Sequence, residues 1–333
     1  MATLHEEAGP GKVGGVWAIV LLVTFSLTVG CGSGSKAGGA LSTGGDSGEG
    51  GAFGAGGVSG AATRSVIAMR PYLFRVPTAY DQNTATPLVI ALHAYGRSGA
   101  LQEEYFNFGE IADKETFLYA YPDGQLDPMN NRFWNADDAS CDPNSIRVDD
   151  VSYIRAIIED VSAKYNVDEK RIFAVGHSNG AFMCHRLACD LSDRIAAIAS
   201  DAGAIWSDAS QCIPSSHISV LDLHGDDDMV INYNGGTAPG GGTCAPPYGS
   251  EAQTMSTWAA KNGCTGELTP TGQSLDLDAT LAGAETSESR VSGCPTGIDV
   301  QLWTIQGGTH VPNPVHPTFA ASIYAFFQAH PKP

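Results

Sequence analysis

Short, unbroken apolar runs alternate along the chain with stretches in which apolar side chains recur every three or four residues. Residues 88–92 read LVIAL, with no polar interruption, as a strand buried on both faces should. Residues 117–121, 171–175, 195–200, 219–223 and 299–305 are further strand candidates. The clearest helix covers residues 149–165, where Val151, Ile154, Ile158, Val161 and Tyr165 fall on one face. Asp149 or Asp150 supplies its N-cap. Residues 181–191, 248–262 and 314–329 read as further helices. Strand and helix in alternation predict an α/β domain, a mostly parallel central sheet with helices on both faces.

The start of the chain does not follow this pattern. Residues 16–29, VWAIVLLVTFSLTV, form an uncharged apolar run too short to span a bilayer comfortably, as in the core of a secretory signal. The run ends in Val29-Gly30-Cys31, which resembles a bacterial lipoprotein processing site with Cys31 as the acylated residue. Plain secretion after cleavage nearby is the competing reading. Residues 31–63 are almost entirely Gly, Ser, Ala and Thr, which cannot bury enough apolar surface to offset ordering, so they read as a flexible tether. The expected organisation is a signal over residues 1–30, a tether over 31–63 and one folded domain over 64–333. The predicted address is extracellular or the cell surface, with membrane contact only through Cys31.

Composition removes some functions. The formal net charge is −18, and Lys and Arg number only 18, scattered along the chain. Nucleic acid is therefore not an expected partner, because holding phosphates needs clustered cations. Eight Cys point to an oxidising compartment. No C-x-x-C or H-E-x-x-H spacing marks a metal site, so none is expected.

One pentapeptide carries the chemistry. Gly176-His177-Ser178-Asn179-Gly180 matches G-x-S-x-G, with a predicted strand before it and a helix after it. Strand, sharp turn and helix together make a nucleophile elbow, whose flanking positions must be small so that the Ser hydroxyl projects. A Ser hydroxyl needs a base, and the base needs an orienting carboxylate. Both should follow in the order Asp, His, each at a strand end. The strand at 219–223 runs into His224-Gly225-Asp226-Asp227-Asp228, and the strand at 299–305 runs into Gly307-Gly308-Thr309-His310. His310 is the candidate base, and spacing alone leaves the three Asp residues open. An oxyanion hole needs two main-chain N–H groups. Asn179 should supply one, and the loop after residues 88–92 the other, with Tyr95 preferred over Ala94. His93 reads first as a structural hydrogen-bonding residue at the strand end and second as a substrate-binding one. Trp134, Trp206 and Trp303 are candidates to line an acyl pocket.

From about Arg75 to Phe327 the chain resembles the polyhydroxybutyrate depolymerase-like esterases, which include feruloyl and acetyl xylan esterases. The resemblance lies in residues 87–93 with Gly96, Tyr121-Pro122-Asp123-Gly124, Phe133-Trp134-Asn135-Ala136 and Val148-Asp149-Asp150-Val151. It continues through residues 176–182, Arg186-Leu187-Ala188-Cys189, His224-Gly225 with Asp228, residues 258–264, and Gly307-Gly308 with His310. It implies an α/β-hydrolase fold and selects Asp228, because the family pattern is a His-Gly pair, two variable residues and then the triad Asp. The chain departs from the family at Ala94, where Gly is usual, and at Val311-Pro312, where Trp-Pro is frequent. The resemblance also implies disulfides Cys189–Cys212 and Cys264–Cys294. Cys184 is then expected to be a small buried apolar residue, and Cys141 and Cys244 remain as a further pair.

These readings converge on a monomeric, secreted serine esterase with a Ser178–His310–Asp228 triad and no cofactor. Its expected substrates are feruloyl or acetyl esters of plant polysaccharide, or short hydroxyalkanoate esters. A depolymerase acting on polymer and a silent hydrolase fold used for surface binding are the alternatives.

Overall fold

The run at residues 88–92 lies at the heart of a nine-stranded sheet. The computed structural model describes residues 60–140, 146, 148–237 and 247–333. The signal, the Cys31 lipid site, all but the last residues of the tether, and the Cys141–Cys244 pair lie outside the described residues. Helix α1 (Gly60–Met69) opens the described chain, its first residues, 60–63, falling in the stretch read as tether. There follow β1 (Leu73–Arg75), β2 (Thr86–Leu92), α2 (Gly99–Phe106), α3 (Phe108–Glu115) and β3 (Leu118–Tyr121). A small hairpin, β4 (Gln125–Leu126) and β5 (Arg132–Phe133), precedes α4 (Asp150–Lys164), β6 (Val167–His177), α5 (Asn179–Asp190) and β7 (Ala197–Asp201). The remainder comprises β8 (Ser219–Gly225), α6 (Glu251–Lys261), β9 (Leu268–Leu275), β10 (Thr286–Val291), β11 (Val300–Ile305) and α7 (Thr318–Ala329).

The strand order is β1-β3-β2-β6-β7-β8-β11-β10-β9. From β3 to β11 every pairing is parallel, while β1 at one edge and β10 and β9 at the other run antiparallel. All six strands predicted from apolar runs belong to this parallel set. Successive side chains of β2 serve opposite layers. Leu88, Ile90 and Leu92 pack with α4, α5 and α6 residues such as Ile154, Phe182 and Trp258. Val89 and Ala91 pack with Phe106, Phe108, Phe319 and Phe327 from α2, α3 and α7. Each fully buried large apolar side chain stabilises the fold by roughly 1.5–3 kcal/mol.

Helix α4 starts where predicted, with the Asp149 carboxylate accepting from the Ser152 N–H at 2.9 Å. Its buried face is wider than the sequence pattern indicates, since Tyr153, Ala156 and Ile157 are buried beside Ile154, Ile158 and Val161. Helices α2 and α3 and strands β9 and β10 have no counterpart in the apolar pattern. The first two are short and separated by Asn107 in a left-handed conformation (φ 56°). Most positions of β9 are exposed, so it needs no apolar alternation. Cys189–Cys212 and Cys264–Cys294 are disulfide-bonded as the resemblance implies, and Cys184 is a buried free thiol. Among the described residues, no helix is long and apolar enough to cross a membrane.

At the end of β7 the Asp201 carboxyl is buried, and neither of its oxygens has a partner among the described residues. Burial pushes its pKa up to about 8; the charge of His224 opposes that rise and that of Asp228 adds to it. An unfolded Asp titrates near 4. Between about pH 4 and pH 8 the folded chain therefore holds a proton that the unfolded chain has lost, and this group's contribution to stability falls as pH rises. Asp201→Asn is expected to raise the melting temperature at pH 8 relative to wild type by more than at pH 5, in paired thermal melts. In the core, Ile158→Ala should lower stability by about 2–5 kcal/mol in urea titration, with the m-value unchanged.

Candidate active site

The elbow is built by close backbone approach. Strand β6 ends at His177, α5 begins at Asn179, and Ser178 between them has φ 55° and ψ −120°. Positive φ in a non-Gly residue costs on the order of 1–3 kcal/mol and must be held by its surroundings. Two contacts hold it. The Ser178 N–H donates to the Asp201 carbonyl at 2.8 Å, and α5 begins immediately, its first turn anchored by Phe182 N–H donating to Ser178 O at 3.0 Å. The glycines on either side are sterically required. A Cβ on Gly176 would lie 2.3 Å from the Gly180 carbonyl oxygen, and one on Gly180 would lie 2.3 Å from that of Leu92.

Ser178, Asp228 and His310 follow the C-terminal ends of β6, β8 and β11, three of four consecutive neighbours in the sheet. His310 Nε2 lies 2.9 Å from Ser178 Oγ, and His310 Nδ1 lies 2.7 Å from Asp228 Oδ2. The other Asp228 oxygen accepts from the N–H groups of Val230 and Ile231 at 2.7 and 2.9 Å. Burial raises the Asp228 pKa, but hydrogen bonds from His224 and His310, the His310 charge and the Val230 N–H outweigh it and hold the carboxyl well below the usual range. The three adjacent Asp residues are thus sorted by contact. Asp226 is exposed and accepts from the Gly307 N–H at 2.6 Å, bracing the loop that carries His310. Asp227 is exposed. A second brace comes from His177, whose Nε2 is 2.8 Å from the His310 carbonyl oxygen. Burial, then the His310 charge, lower the His177 pKa to about 3, so its ring is neutral and donates that bond.

In the loop after β2, the main-chain N–H groups on either side of Tyr95 are engaged. The Ala94 N–H donates to Gln102 Oε1 at 3.3 Å, and the Gly96 N–H to the Arg132 carbonyl at 2.8 Å. Tyr95 lies between them, about half exposed, with its hydroxyl donating to Asp127 Oδ2 at 2.6 Å. The Asn179 side chain has a task that the sequence reading missed. It accepts from Trp134 N–H at 2.7 Å and donates to Trp134 O and Ser140 Oγ, each at 2.8 Å, clamping a neighbouring loop to the elbow.

Trp134 corrects the expectation that it binds substrate, and His93 follows its first reading, as a structural hydrogen-bonding residue, and not its second. Both are completely buried. Trp134 Nε1 donates to the His93 carbonyl at 3.0 Å, and His93 Nε2 accepts from the Gly124 N–H at 2.7 Å. They brace the loops around the site and have no surface for a ligand. Burial lowers the His93 pKa to about 4, keeping it neutral. Trp206 and Trp303 are likewise buried. The apolar surface at the site comes instead from residues next to the triad. Met229 and Val230 follow Asp228, Val311 follows His310, and all three are exposed. Among the described residues, no group of three or more His, Cys, Asp or Glu side chains is arranged to hold a metal ion.

Comparisons with known proteins find esterases among the proteins this chain resembles. The phospholipase/carboxylesterase family model matches residues 77–239. Feruloyl esterase B of Piromyces equi is 30% identical over 247 residues, covering 72% of this chain and 42% of that enzyme. The chain thus spans less than half of that relative's length. Feruloyl esterase D of Neurospora crassa is 25% identical, with 73% of this chain and 74% of that enzyme covered. Among solved structures, an acetyl xylan esterase from Aspergillus awamori shares the fold with a TM-score of 0.54 at 16% identity, over 77% of this chain and 93% of that one. On these grounds the chain has the α/β-hydrolase fold and is similar to the carboxylic ester hydrolases of the phospholipase/carboxylesterase family.

Proposed function

We propose that the chain is a secreted serine esterase that cleaves feruloyl or acetyl esters of plant polysaccharide, or short hydroxyalkanoate esters, through an acyl-enzyme. The observation that carries the mechanism is the unbroken line of contacts from Ser178 Oγ through His310 to Asp228, at 2.9 and 2.7 Å. In the resting site Nδ1–H of His310 donates to Asp228, so Nε2 is free to accept the Ser178 proton. The Ser178 oxygen then bonds to the ester carbonyl carbon. The resulting oxyanion accepts from the N–H groups of Asn179 and Tyr95, next to the N-terminus of α5. Collapse expels the alcohol, which takes the proton from His310. Water repeats the cycle on the acyl-enzyme and returns Ser178.

The names of the relatives support a feruloyl or acetyl ester over other substrates. The exposed apolar side chains of Met229, Val230 and Val311 beside the triad support an acyl or alcohol group with apolar surface. The two disulfides support an oxidising, extracellular address. Cys31 would add a lipid anchor there, and residues 31–63 a tether.

A fluorophosphonate probe should label the wild-type chain and not Ser178→Ala; absence of labelling on folded wild type would refute the serine mechanism. Asp228→Asn should lower kcat by about 10⁴-fold by imposing the wrong His310 tautomer, while Asp226→Asn retains most of the activity. The reverse order of these two variants would overturn the choice of Asp228. Rates on methyl ferulate, acetylated xylan and hydroxybutyrate oligomers test the substrate; the reading expects kcat/KM highest on one of the first two, and a preference for hydroxybutyrate oligomers would move it to the hydroxyalkanoate class.

A further inference from the structure

Behind Asp228 lies a second imidazole that the catalytic cycle does not use. His224 is the penultimate residue of β8, and its side chain is 1% exposed. Its Nε2 lies 3.1 Å from Asp228 Oδ2 and 2.8 Å from the Ile231 carbonyl oxygen. Its Nδ1 lies 2.5 Å from Glu251 Oε1, at the first residue of α6, and Glu251 is also buried. With Glu251 ionised, both ring nitrogens face oxygens that only accept; burial raises the Glu251 pKa, and the His224 charge opposes that rise. A neutral imidazole has a single N–H and would leave one nitrogen lone pair pointed at a lone pair. A ring protonated at both nitrogens satisfies every contact.

The surrounding charges agree. Burial pushes His224 toward neutrality, but the Glu251 charge, hydrogen bonds to Asp228 and Glu251, and the Asp228 charge outweigh it and raise its pKa to about 10. Other ionisable groups face this pair from each neighbouring element. Asp201 on β7 feels the His224 charge, and Tyr233 packs edge-on against the ring at 5.6 Å while bonding Thr304 of β11. Asp222 on β8 and His185 on α5, themselves 3.1 Å apart, act on Glu251.

We propose that Glu251 and His224 form a buried positioning pair for the triad, in which Glu251 holds His224 as an imidazolium and the Nε2–H of His224 shares Asp228 Oδ2 with His310. The proposal rests on the Ser178–His310–Asp228 reading above. Sharing has a definite consequence. One carboxylate oxygen divides its charge between two imidazoles, so it draws less strongly on the proton of His310. The base then remains neutral, and competent to accept from Ser178, to lower pH than it would beside an unshared carboxylate. The pair also prevents Asp228 from taking up a proton as the pH falls.

The test is the pH dependence of kcat/KM on 4-nitrophenyl acetate, with the full chain. Removing the cation in His224→Gln should move the acid limb upward by about one pH unit, and Glu251→Gln should move it in the same direction. A merely structural role would lower kcat or the melting temperature and leave the acid limb in place, which would overturn the proposal. Because His224→Gln removes a buried partner and can fail to fold, a second measurement uses the wild-type chain. Nitrogen-15 NMR of the His224 ring at pH 7 should show protons on both nitrogens; a singly protonated ring would refute the pair. This readout needs no turnover. Failure of the serine mechanism, seen as activity surviving in Ser178→Ala, is thereby distinguishable from failure of the His224–Glu251 assignment.

Discussion

The site depends on one backbone constraint, the left-handed turn at Ser178. A non-Gly residue at φ 55° is held there only because its N–H reaches the Asp201 carbonyl and because two glycines permit approach that no Cβ would allow. That single turn sets the direction of the Ser178 hydroxyl and the start of α5. It also sets the position of the Asn179 N–H. The constraint reaches further, because Gly180 packs against the backbone of β2 at Leu92, immediately before the loop that holds Tyr95. The nucleophile and the loop facing it are therefore positioned by one contact between main chains.

The parallel sheet brings residues distant in sequence to one edge. Side chains at strand ends β6, β8 and β11 converge there without any local sequence relationship. Around them the protein places many polar groups in a dry interior, among them Asp201, Asp222, His224 and Glu251. Isolated buried charges of this kind are expensive and are tolerated where partners compensate them. Here imidazole and carboxylate alternate, as His310–Asp228–His224–Glu251 and as His185–Asp222. Asp201 has no such partner, and its carboxyl keeps its proton instead.

Much of this was legible in the sequence where a physical rule acts along the chain. Strands buried on both faces must be apolar without interruption, so β2, β6 and β8 were visible. The elbow was visible because its steric requirement demands Gly at fixed positions. The choice among Asp226, Asp227 and Asp228 was not visible from spacing and needed the family pattern; in the structure it follows from which carboxylate is buried against His310. Hidden from the sequence were relations that only the tertiary fold creates. His224 meets Glu251 across the gap between β8 and α6, and Asn179 meets Trp134 across 45 positions. Trp134 was misread as a substrate contact because an aromatic ring near a site has the same one-dimensional signature whether it faces the cleft or supports its wall. Strand β9 escaped notice because an exposed antiparallel edge carries no apolar signature, and β10 because its middle positions are half-buried and polar.

The order of the strands has a consequence for when the enzyme becomes active. The Ser178 turn is made from local sequence and its neighbours β2 and β7, but its base arrives from 132 positions later, after β11 has docked beside β8. A chain that reaches only Asp228 carries the residues of the elbow and the carboxylate but lacks His310, the group proposed to take the proton. Under the proposed mechanism, chemical competence therefore requires the chain as far as His310, and a nascent chain that stops short of it has the serine without its base.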